Sequence, residues 1–451
     1  MNTRSDKMAS WPIGKLLFSM GLPAVFSMLI QALYNVVDTI YISRYSQDAL
    51  FAIGVVTPMV MVGLSIALGG SVGVATLLAR RLGERNREEA DAVVSTGICL
   101  TFIHIIVTML ICFFFGKSFI RLFTDRADIV VLGFSYMSIC MYVCFGQHIS
   151  LFFERIMQAQ SNMLVPMMAQ LIGAVTNIIL DPILIFGKGP FPAMGIAGAA
   201  IATVMGQIFS MCFCIFFFRK DEVKIRLRGL KMDKVRIRDI YAVGLPTMIM
   251  NAVGSFTTIL MNSILVRFSE NYVSSLSLYF KVQSFVFMPV FGFSQGALPI
   301  LSYNYGARNR ERYVRSEMLY MLTSVVILAL GTLLFRFRTD LILSAFTMDD
   351  TLHKIASQAL RTISLSFVFA AVSICMGSVF QSFGKGSFSM LQSILRQIVL
   401  LIPIAYWLSG MGEPKLVWYA YPISEAIVTF IFIPLTIRIF HQHFPLTAKD
   451  V

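Results

Sequence analysis

Long apolar runs, separated by short charged or Gly/Pro-rich breaks, recur along the whole chain. Each run is long enough for an α-helix to cross the hydrocarbon core of a bilayer, which takes about 20 residues. The pattern predicts an all-α polytopic membrane protein with twelve transmembrane helices. The predicted helices cover residues 16–43, 49–79, 92–115, 129–152, 163–186, 194–218, 239–266, 272–303, 314–335, 356–383, 388–408 and 416–440.

The composition agrees with a membrane protein and excludes several other classes. Hydrophobic residues make up 57% of the 451 residues, and charged residues make up 14%. Ordinary soluble domains carry about 25% charged residues, so this chain lacks the polar groups to cover a soluble surface. A soluble enzyme, a disordered chain and a disulfide scaffold are excluded. Because the helices use nearly the whole length, the membrane part must carry the function.

The two halves of the chain are related by a shift of 223 residues. The matches cluster at glycine and polar positions, where chance identity is least expected in so apolar a chain. Six helices per half is an even number, so the halves share one orientation in the membrane, as parallel repeats do. The matched groups include Gly21-Leu22-Pro23 with Gly244-Leu245-Pro246, Gly69, Ser71 and Gly73 with Gly292, Ser294 and Gly296, and Asn86-Arg87-Glu88 with Asn309-Arg310-Glu311.

The repeat predicts two pseudo-symmetric six-helix bundles. We place an N-lobe at residues 1–218, a basic cytoplasmic linker at 219–238 and a C-lobe at 239–451. Two similar lobes in one membrane chain favour a transporter whose lobes rock about a central cavity.

The distribution of basic residues predicts the orientation of the chain. With a cytoplasmic N-terminus, the inside segments hold 24 of the 37 Lys and Arg residues, and the outside loops hold ten. Cytoplasmic loops are enriched in Lys and Arg, so both termini are predicted in the cytoplasm and the protein in the cell inner membrane. The same bias accounts for the net charge of +13. That charge is therefore not read as a nucleic-acid-binding signal; it favours contact with anionic lipid.

Two carboxylates inside predicted helices are the strongest candidates for chemistry. Asp38 lies in the first helix, and Asp181 lies in the fifth with Asn177 one turn before it. A charged group in the membrane costs about 2.5–3.5 kcal/mol on the insertion scale, which favours a functional role. With Thr203 of the sixth helix, which follows a small-residue stretch, these side chains supply oxygen ligands for a cation or a carboxyl pair that holds a proton. A hydrogen-bonded packing network is the alternative.

The second half does not repeat this polar site. Met261 and Leu400 stand where the shift would place Asp38 and Asn177. The C-lobe helices carry another possible polar site instead, in which a structural ion pair and a substrate-binding role both stay open. Its residues are Lys281, Arg396 and Glu425.

Further observations bear on the cavity and on the energy source. Gln31 and Asn35, one helical turn apart, are candidates to line a substrate cavity. Gly116-Lys117-Ser118 resembles the end of a phosphate-binding loop, but Ile111 occupies the required glycine position. We therefore expect ion-driven transport, with Na⁺ or H⁺ as the coupling ion and without an enzymatic activity, a cofactor or a metal site beyond Na⁺ at the N-lobe residues.

Taken together, these motifs resemble the multidrug and toxic compound extrusion (MATE) family, most closely its DNA-damage-inducible branch. The resemblance implies Na⁺ or H⁺ antiport, with the cation site at Asp38, Asn177, Asp181 and Thr203 and with Pro23 allowing the first helix to bend. The motifs that carry it are Gly-Leu-Pro at the start of both halves, Asn35-Val-Val-Asp38-Thr39, Gly83-Glu84-Arg85-Asn86, Asn177-Ile-Ile-Leu-Asp181-Pro182 and Pro299-Ile-Leu-Ser-Tyr-Asn-Tyr-Gly306-Ala-Arg308.

The sequence thus predicts a monomeric efflux transporter that exchanges Na⁺ or H⁺ for amphipathic organic cations by alternating access. The alternative is a flippase for a lipid-linked saccharide or a related lipid. A flippase for anionic headgroups would line its cavity with several Arg or Lys side chains, and the C-lobe helices offer only Lys281 and Arg396 as candidates.

Overall fold

A computed structural model describes residues 4–187, 189–220, 232–344, 346 and 349–445 of the chain. The described residues form helices joined by short connections, and no β-strand occurs among them. The predicted all-α fold class is therefore confirmed.

The first half of the chain contains six helical spans after a short N-terminal helix. The fourth span is bent by 45° between its two helices, at a break of a few residues. The sequence placed its end at residue 152, but the helix runs to Ala159. The elements are α1 (Arg4–Ser10), α2 (Ile13–Tyr45), α3 (Gln47–Gly83), α4 (Arg87–Arg121), α5 (Ala127–Tyr142), α6 (Phe145–Ala159), α7 (Leu164–Phe186) and α8 (Ile196–Lys220).

The second half repeats the pattern with more internal breaks. Short 3₁₀ turns at Ser364–Ser366 and Pro414–Tyr419 and a π-helical segment at Leu395–Leu401 interrupt its last three spans. The elements are α9 (Lys234–Leu265), α10 (Glu270–Gly306), α11 (Arg310–Phe337), α12 (Thr339–Leu343), α13 (Asp350–Ile363), α14 (Phe367–Ser382), α15 (Gly386–Ile394), α16 (Ile402–Ser409) and α17 (Ala420–His443).

The number of spans agrees with the sequence. Within the described residues, eleven helices or joined helix runs are long and apolar enough to cross a membrane, and the bent pair α5–α6 supplies a twelfth. Many large apolar side chains are exposed along these helices, including Phe113, Phe114 and Leu330. Such exposure would be costly in water, and in lipid it is the expected surface.

Contacts divide the chain into two compact units, which we call unit 1 and unit 2. Unit 1 contains residues 1–11 and 26–248, and unit 2 contains residues 12–25 and 249–451. The units depart from the predicted lobes because α2 and α9 are each shared between both units. Both divisions lie just beyond a proline, Pro23 in α2 and Pro246 in α9.

The predicted linker is only partly described. Helix α8 ends at Lys220, helix α9 begins at Lys234, and residues 221–231 lie outside the described residues. Helix α9 begins at Lys234, inside the predicted linker 219–238, and its first turns belong to unit 1. There Arg236 forms an ion pair with Glu89 at 2.9 Å.

In unit 1, two glycines of α3 that match glycines of the second half at the 223-residue shift allow close contact between helices. A Cβ added at Gly69 of α3 would lie 2.6 Å from the carbonyl oxygen of Gly244 in α9. One at Gly73 would meet the carbonyl oxygen of Ile240. The backbones of α3 and α9 therefore approach too closely for any larger residue, as at small-residue crossings of membrane helices.

Unit 2 contains the matching helix crossing. A Cβ added at Gly296 of α10 would lie 2.9 Å from the backbone nitrogen of Gly21 in α2, and one at Gly292 would lie 2.7 Å from that of Val25. These residues correspond to the unit 1 glycines at the 223-residue shift. The repeated glycines of the sequence thus mark one helix crossing, made once in each unit.

This crossing gives a stability prediction. Gly73→Ala is expected to lower the free energy of unfolding by about 1–3 kcal/mol, the usual cost of overpacking, because the Ile240 backbone leaves no room for a methyl group. Gly54→Ala in the same helix is the matched control, since nothing lies within 4 Å of its added Cβ. Alanine there should be neutral or stabilising by about 0.5–1 kcal/mol. Thermal unfolding of both variants in detergent checks the difference, and equal melting temperatures would contradict it.

Candidate functional site

Close helix packing in unit 1 brings the predicted cation-site residues together. Asn177 and Asp181 are one turn apart on α7, so they share a face. A Cβ added at Gly206 of α8 would lie 2.6 Å from the carbonyl oxygen of Gly173 in α7, and one at Gly198 would lie 2.6 Å from that of Leu184. The glycines let α7 and α8 run nearly in contact, which places Thr203 opposite Asn177.

Hydrogen bonds join three of the four predicted residues. The side-chain amide of Asn177 donates to Oδ1 of Asp181 at 3.2 Å and to Oγ1 of Thr203 at 3.4 Å. Asp38 on α2 lies within electrostatic reach of Asp181. The structure therefore brings Asp38, Asn177, Asp181 and Thr203 to one place.

Three other oxygen atoms at this place lack hydrogen-bond donors. Oδ1 of Asp38, Oδ2 of Asp181 and Oδ1 of Asn177 are buried, and none has a hydrogen-bond partner. The Asp181 side chain is fully buried, at 0% exposure. Buried polar atoms are nearly always paired in folded proteins, so three unpaired acceptors in one cluster indicate a site for a positively charged species.

The surroundings provide no compensating charge. Asp38 has Tyr34, Tyr136 and Cys140 in electrostatic reach. Neither Asp38 nor Asp181 forms an ion pair with a basic residue in the part of the chain that the structure describes. Two neighbouring carboxylates in such surroundings are unfavourable when both are ionised. Either one of them binds a proton or a metal cation compensates their charge. Carboxylate, amide and hydroxyl oxygens are suitable ligands for Na⁺.

A polar cavity of about 90 Å³ adjoins these residues in unit 1. Asn177, Thr203 and the predicted cavity residue Gln31 line it, whereas the exposed Asn35 does not. The cavity also contains an acid that the sequence analysis missed, Glu154 of α6. Because the predicted fourth helix ended two residues before Glu154, this carboxylate was not considered as a membrane residue.

Glu154 belongs to a buried hydrogen-bond network. It accepts from Ser150 at 2.9 Å and from the amide of Gln170 at 3.1 Å. The Ser150 and Ser210 hydroxyls lie 2.8 Å apart. The signal in the sequence that could have revealed this network is the i, i+4 spacing of Ser150 and Glu154, which places both on one helical face. All four residues line the cavity, so the network adds one hydrogen-bonded carboxylate to its wall.

Two of the three residues predicted to form a polar site in the second half are in contact. Nη1 of Arg396 lies 3.1 Å from Oε1 of Glu425, whereas Lys281 is exposed and has no part in this pair. Arg396 lies in the π-helical segment Leu395–Leu401, and such segments are frequent at functional sites. Both paired residues line a cavity of about 350 Å³ within unit 2, together with Thr257, Gln283 and other residues.

Pro23 lies inside the continuous helix α2, where it removes one backbone hydrogen bond. The helix passes from unit 2 to unit 1 between Val25 and Phe26, two residues after this proline. The bending of α2 at Pro23 stays a prediction.

Twelve apolar spans, an internal repeat and a buried polar site define a polytopic transporter of the repeat type. The particular family follows from comparison with known proteins. The family model MatE matches residues 23–183 and again residues 246–407, so the second match begins 223 residues after the first. The chain belongs to the MatE family.

Proteins with named roles align with nearly the whole chain at low sequence identity. A protein named FAD transporter from Shewanella oneidensis is 24% identical over 93% of this chain and 94% of its own length. Multidrug export protein MepA from Staphylococcus aureus is 24% identical, with 90% of each chain covered. This chain is therefore similar along its length to transporters with two different named cargoes.

Solved structures share the fold. A MATE transporter solved in complex with MaL6 superposes with a TM-score of 0.91 at 22% identity, covering 98% of this chain and 99% of its own. A multidrug resistance MATE transporter of the MOP superfamily, described as outward-facing, gives the same TM-score and identity, with 99% of each chain covered. The predicted helical fold with two repeated halves is that of known MATE transporters.

Proposed function

We propose that this protein is a secondary active efflux transporter that exchanges Na⁺ or H⁺ for amphipathic organic cations by alternating access. The observation that carries the proposal is the cluster of unpaired buried oxygens at Asp38, Asn177 and Asp181. A driving cation neutralises the carboxyl pair in one step of the cycle. A cationic substrate takes over that neutralisation in another step, so the two are exchanged.

The membrane and the orientation are part of the proposal. The excess of Lys and Arg in alternate loops supports a cell inner membrane protein with both termini in the cytoplasm. In this orientation substrates leave the cell as the driving cation enters. We further propose that a monomer acts with membrane lipid as its only constant partner, and that it belongs to the DNA-damage-inducible branch.

The second candidate is export of an anionic nucleotide cofactor, which the relative named FAD transporter favours. An anion would need basic groups in a cavity. Among the described residues that line the unit 2 cavity, Arg396 is the one Arg or Lys, and Glu425 offsets its charge. The same observation disfavours the lipid flippase, so the organic cation remains the better-supported substrate.

Uptake into inverted membrane vesicles tests this proposal, because their cytoplasmic face is outside and export from the cell becomes transport into the lumen. A fluorescent organic cation and FAD are offered in parallel, and Na⁺ and H⁺ gradients are imposed separately. We expect movement of the organic cation under one of the two gradients and none without a gradient. Transport of FAD alone would replace the proposal with the second candidate, and transport that ignores both gradients would refute ion coupling.

A further inference from the structure

Helix α11 of unit 2 carries Glu317, a half-buried acid with a shielded carboxylate. Both of its carboxylate oxygens are shielded from solvent, and neither has a hydrogen-bond partner. An ionised carboxylate buried without donors or a counter-charge is strongly unfavourable. This side chain plays no part in the cation cluster of unit 1, in the Arg396–Glu425 pair or in any predicted site.

The neighbours of Glu317 are hydroxyl and thiol groups. Tyr320 and Ser324 lie three and seven residues further along α11, and their side chains are fully buried. Both hydroxyls also lack a partner. Cys375 of α14 lies beside these two residues, and Glu317 is in electrostatic reach of Tyr320 and Cys375. Glu317, Tyr320 and Ser324 thus place three unsatisfied polar side chains along one stretch of α11.

No basic group balances the carboxylate. Among the described residues of every helix packed against α11, none forms an ion pair with Glu317 or lies in electrostatic reach as a charged partner. Tyr320 and Cys375 are the titratable groups that face it. Helix α10 adds the Ser294 hydroxyl near Tyr320, 3.2 Å from the hydroxyl of Ser378 in α14.

The repeat shows that this polarity is specific to unit 2. The 223-residue shift places Val94 at the position of Glu317 and Phe152 at that of Cys375. Both are buried in the apolar core of unit 1, together with Val74. The same helix packing therefore tolerates an apolar side chain, and a structural requirement of the fold does not account for the acid.

We propose that Glu317 is a proton-binding site of unit 2, separate from the Asp38–Asp181 cluster. The carboxylate takes a proton from water to become a neutral acid and returns the proton to water when it ionises. As an acid it has an O–H donor and a carbonyl acceptor, which can pair with a hydroxyl such as that of Tyr320, one turn along the helix. A proton suits this site better than Na⁺, because one carboxylate and two hydroxyls are too few ligands for a metal cation.

Infrared difference spectroscopy of the purified protein in lipid tests the proposal without any transport assay. At neutral pH, Glu317→Gln is expected to lose the carbonyl stretch of one protonated carboxylic acid per protein. Glu311→Gln is the matched control, because Glu311 lies on the same helix with 80% of its side chain exposed. It should keep that signal. Tyr320→Phe should shift the band without removing it, which also serves if Glu317→Gln folds poorly.

Two results would overturn the assignment. If Glu317→Gln and wild type have the same protonated carboxyl signal, Glu317 does not hold a proton. If Na⁺ at fixed pH removes the Glu317-dependent band, the site binds Na⁺ and the proton assignment is wrong. Because neither readout depends on efflux, failure here leaves the proposed antiport function to be judged by its own assay.

Discussion

Asp38→Asn is expected to abolish ion-driven efflux, to the level of vesicles that lack the protein. Asparagine keeps the size and shape of the side chain, so the packing of α2 is preserved. The substitution removes one of the two carboxyls that a driving cation must neutralise, and with it the titratable group next to Asp181. Uptake of a fluorescent organic cation into inverted vesicles, which corresponds to export from the cell, measures the loss when it is normalised to the amount of inserted protein.

Asp125→Asn provides the control for this result. Asp125 is an exposed aspartate of unit 1 outside the cation cluster, so its neutralisation changes the net charge equally and should leave efflux intact. Normal efflux by Asp38→Asn at normal expression would show that Asp38 does not carry the coupling ion.

The second large effect concerns competition between the two cations. Because Asp38 and Asp181 form one buried cluster, an organic cation and the driving ion should each weaken the binding of the other. Thermodynamic linkage requires the same factor in both directions. A typical coupling of about 1–3 kcal/mol corresponds to roughly 5- to 150-fold in affinity. Titration of a cationic dye against purified protein, at several Na⁺ concentrations and pH values, measures this factor.

Asp181→Asn should sharply reduce that factor, because it leaves one carboxyl to neutralise instead of two. Asp125→Asn again serves as the control and should keep the wild-type factor. If dye affinity in the wild type is independent of both Na⁺ and pH, the cluster is a packing network, and the alternative stated for it from the sequence is correct.

The sequence identified two of the acids with shielded carboxylates as site candidates and missed two others. Asp38 and Asp181 lie inside apolar runs, where a carboxylate is conspicuous, and the structure places them within electrostatic reach of each other. Glu154 lies beyond the predicted end of its helix, next to Arg155, and Glu317 lies close to a run of charged residues at the start of a helix, where acids are common. Their burial depends on how far each helix continues and on what packs against it, and neither follows from local sequence.

For the glycines matched by the repeat, the sequence predicted the positions but not the contacts. Gly69 and Gly292 were recognised as repeat positions, but the sequence contained no statement about what they contact. The structure shows that both leave room for the backbone of another helix, α9 for Gly69 and α2 for Gly292. A repeat in sequence reports that a constraint occurs twice, whereas the constraint itself is a distance between backbones.

The sequence by itself determined the membrane class, the twelve spans, the repeat and the residues of the main polar cluster. These follow from local quantities: the length of apolar runs, the cost of a charge in lipid and identity at a fixed shift. The tertiary structure decided how α2 and α9 are shared between the units, and which polar side chains are buried without partners. Those features depend on the register of helices distant in sequence, which is set by packing at glycines and prolines.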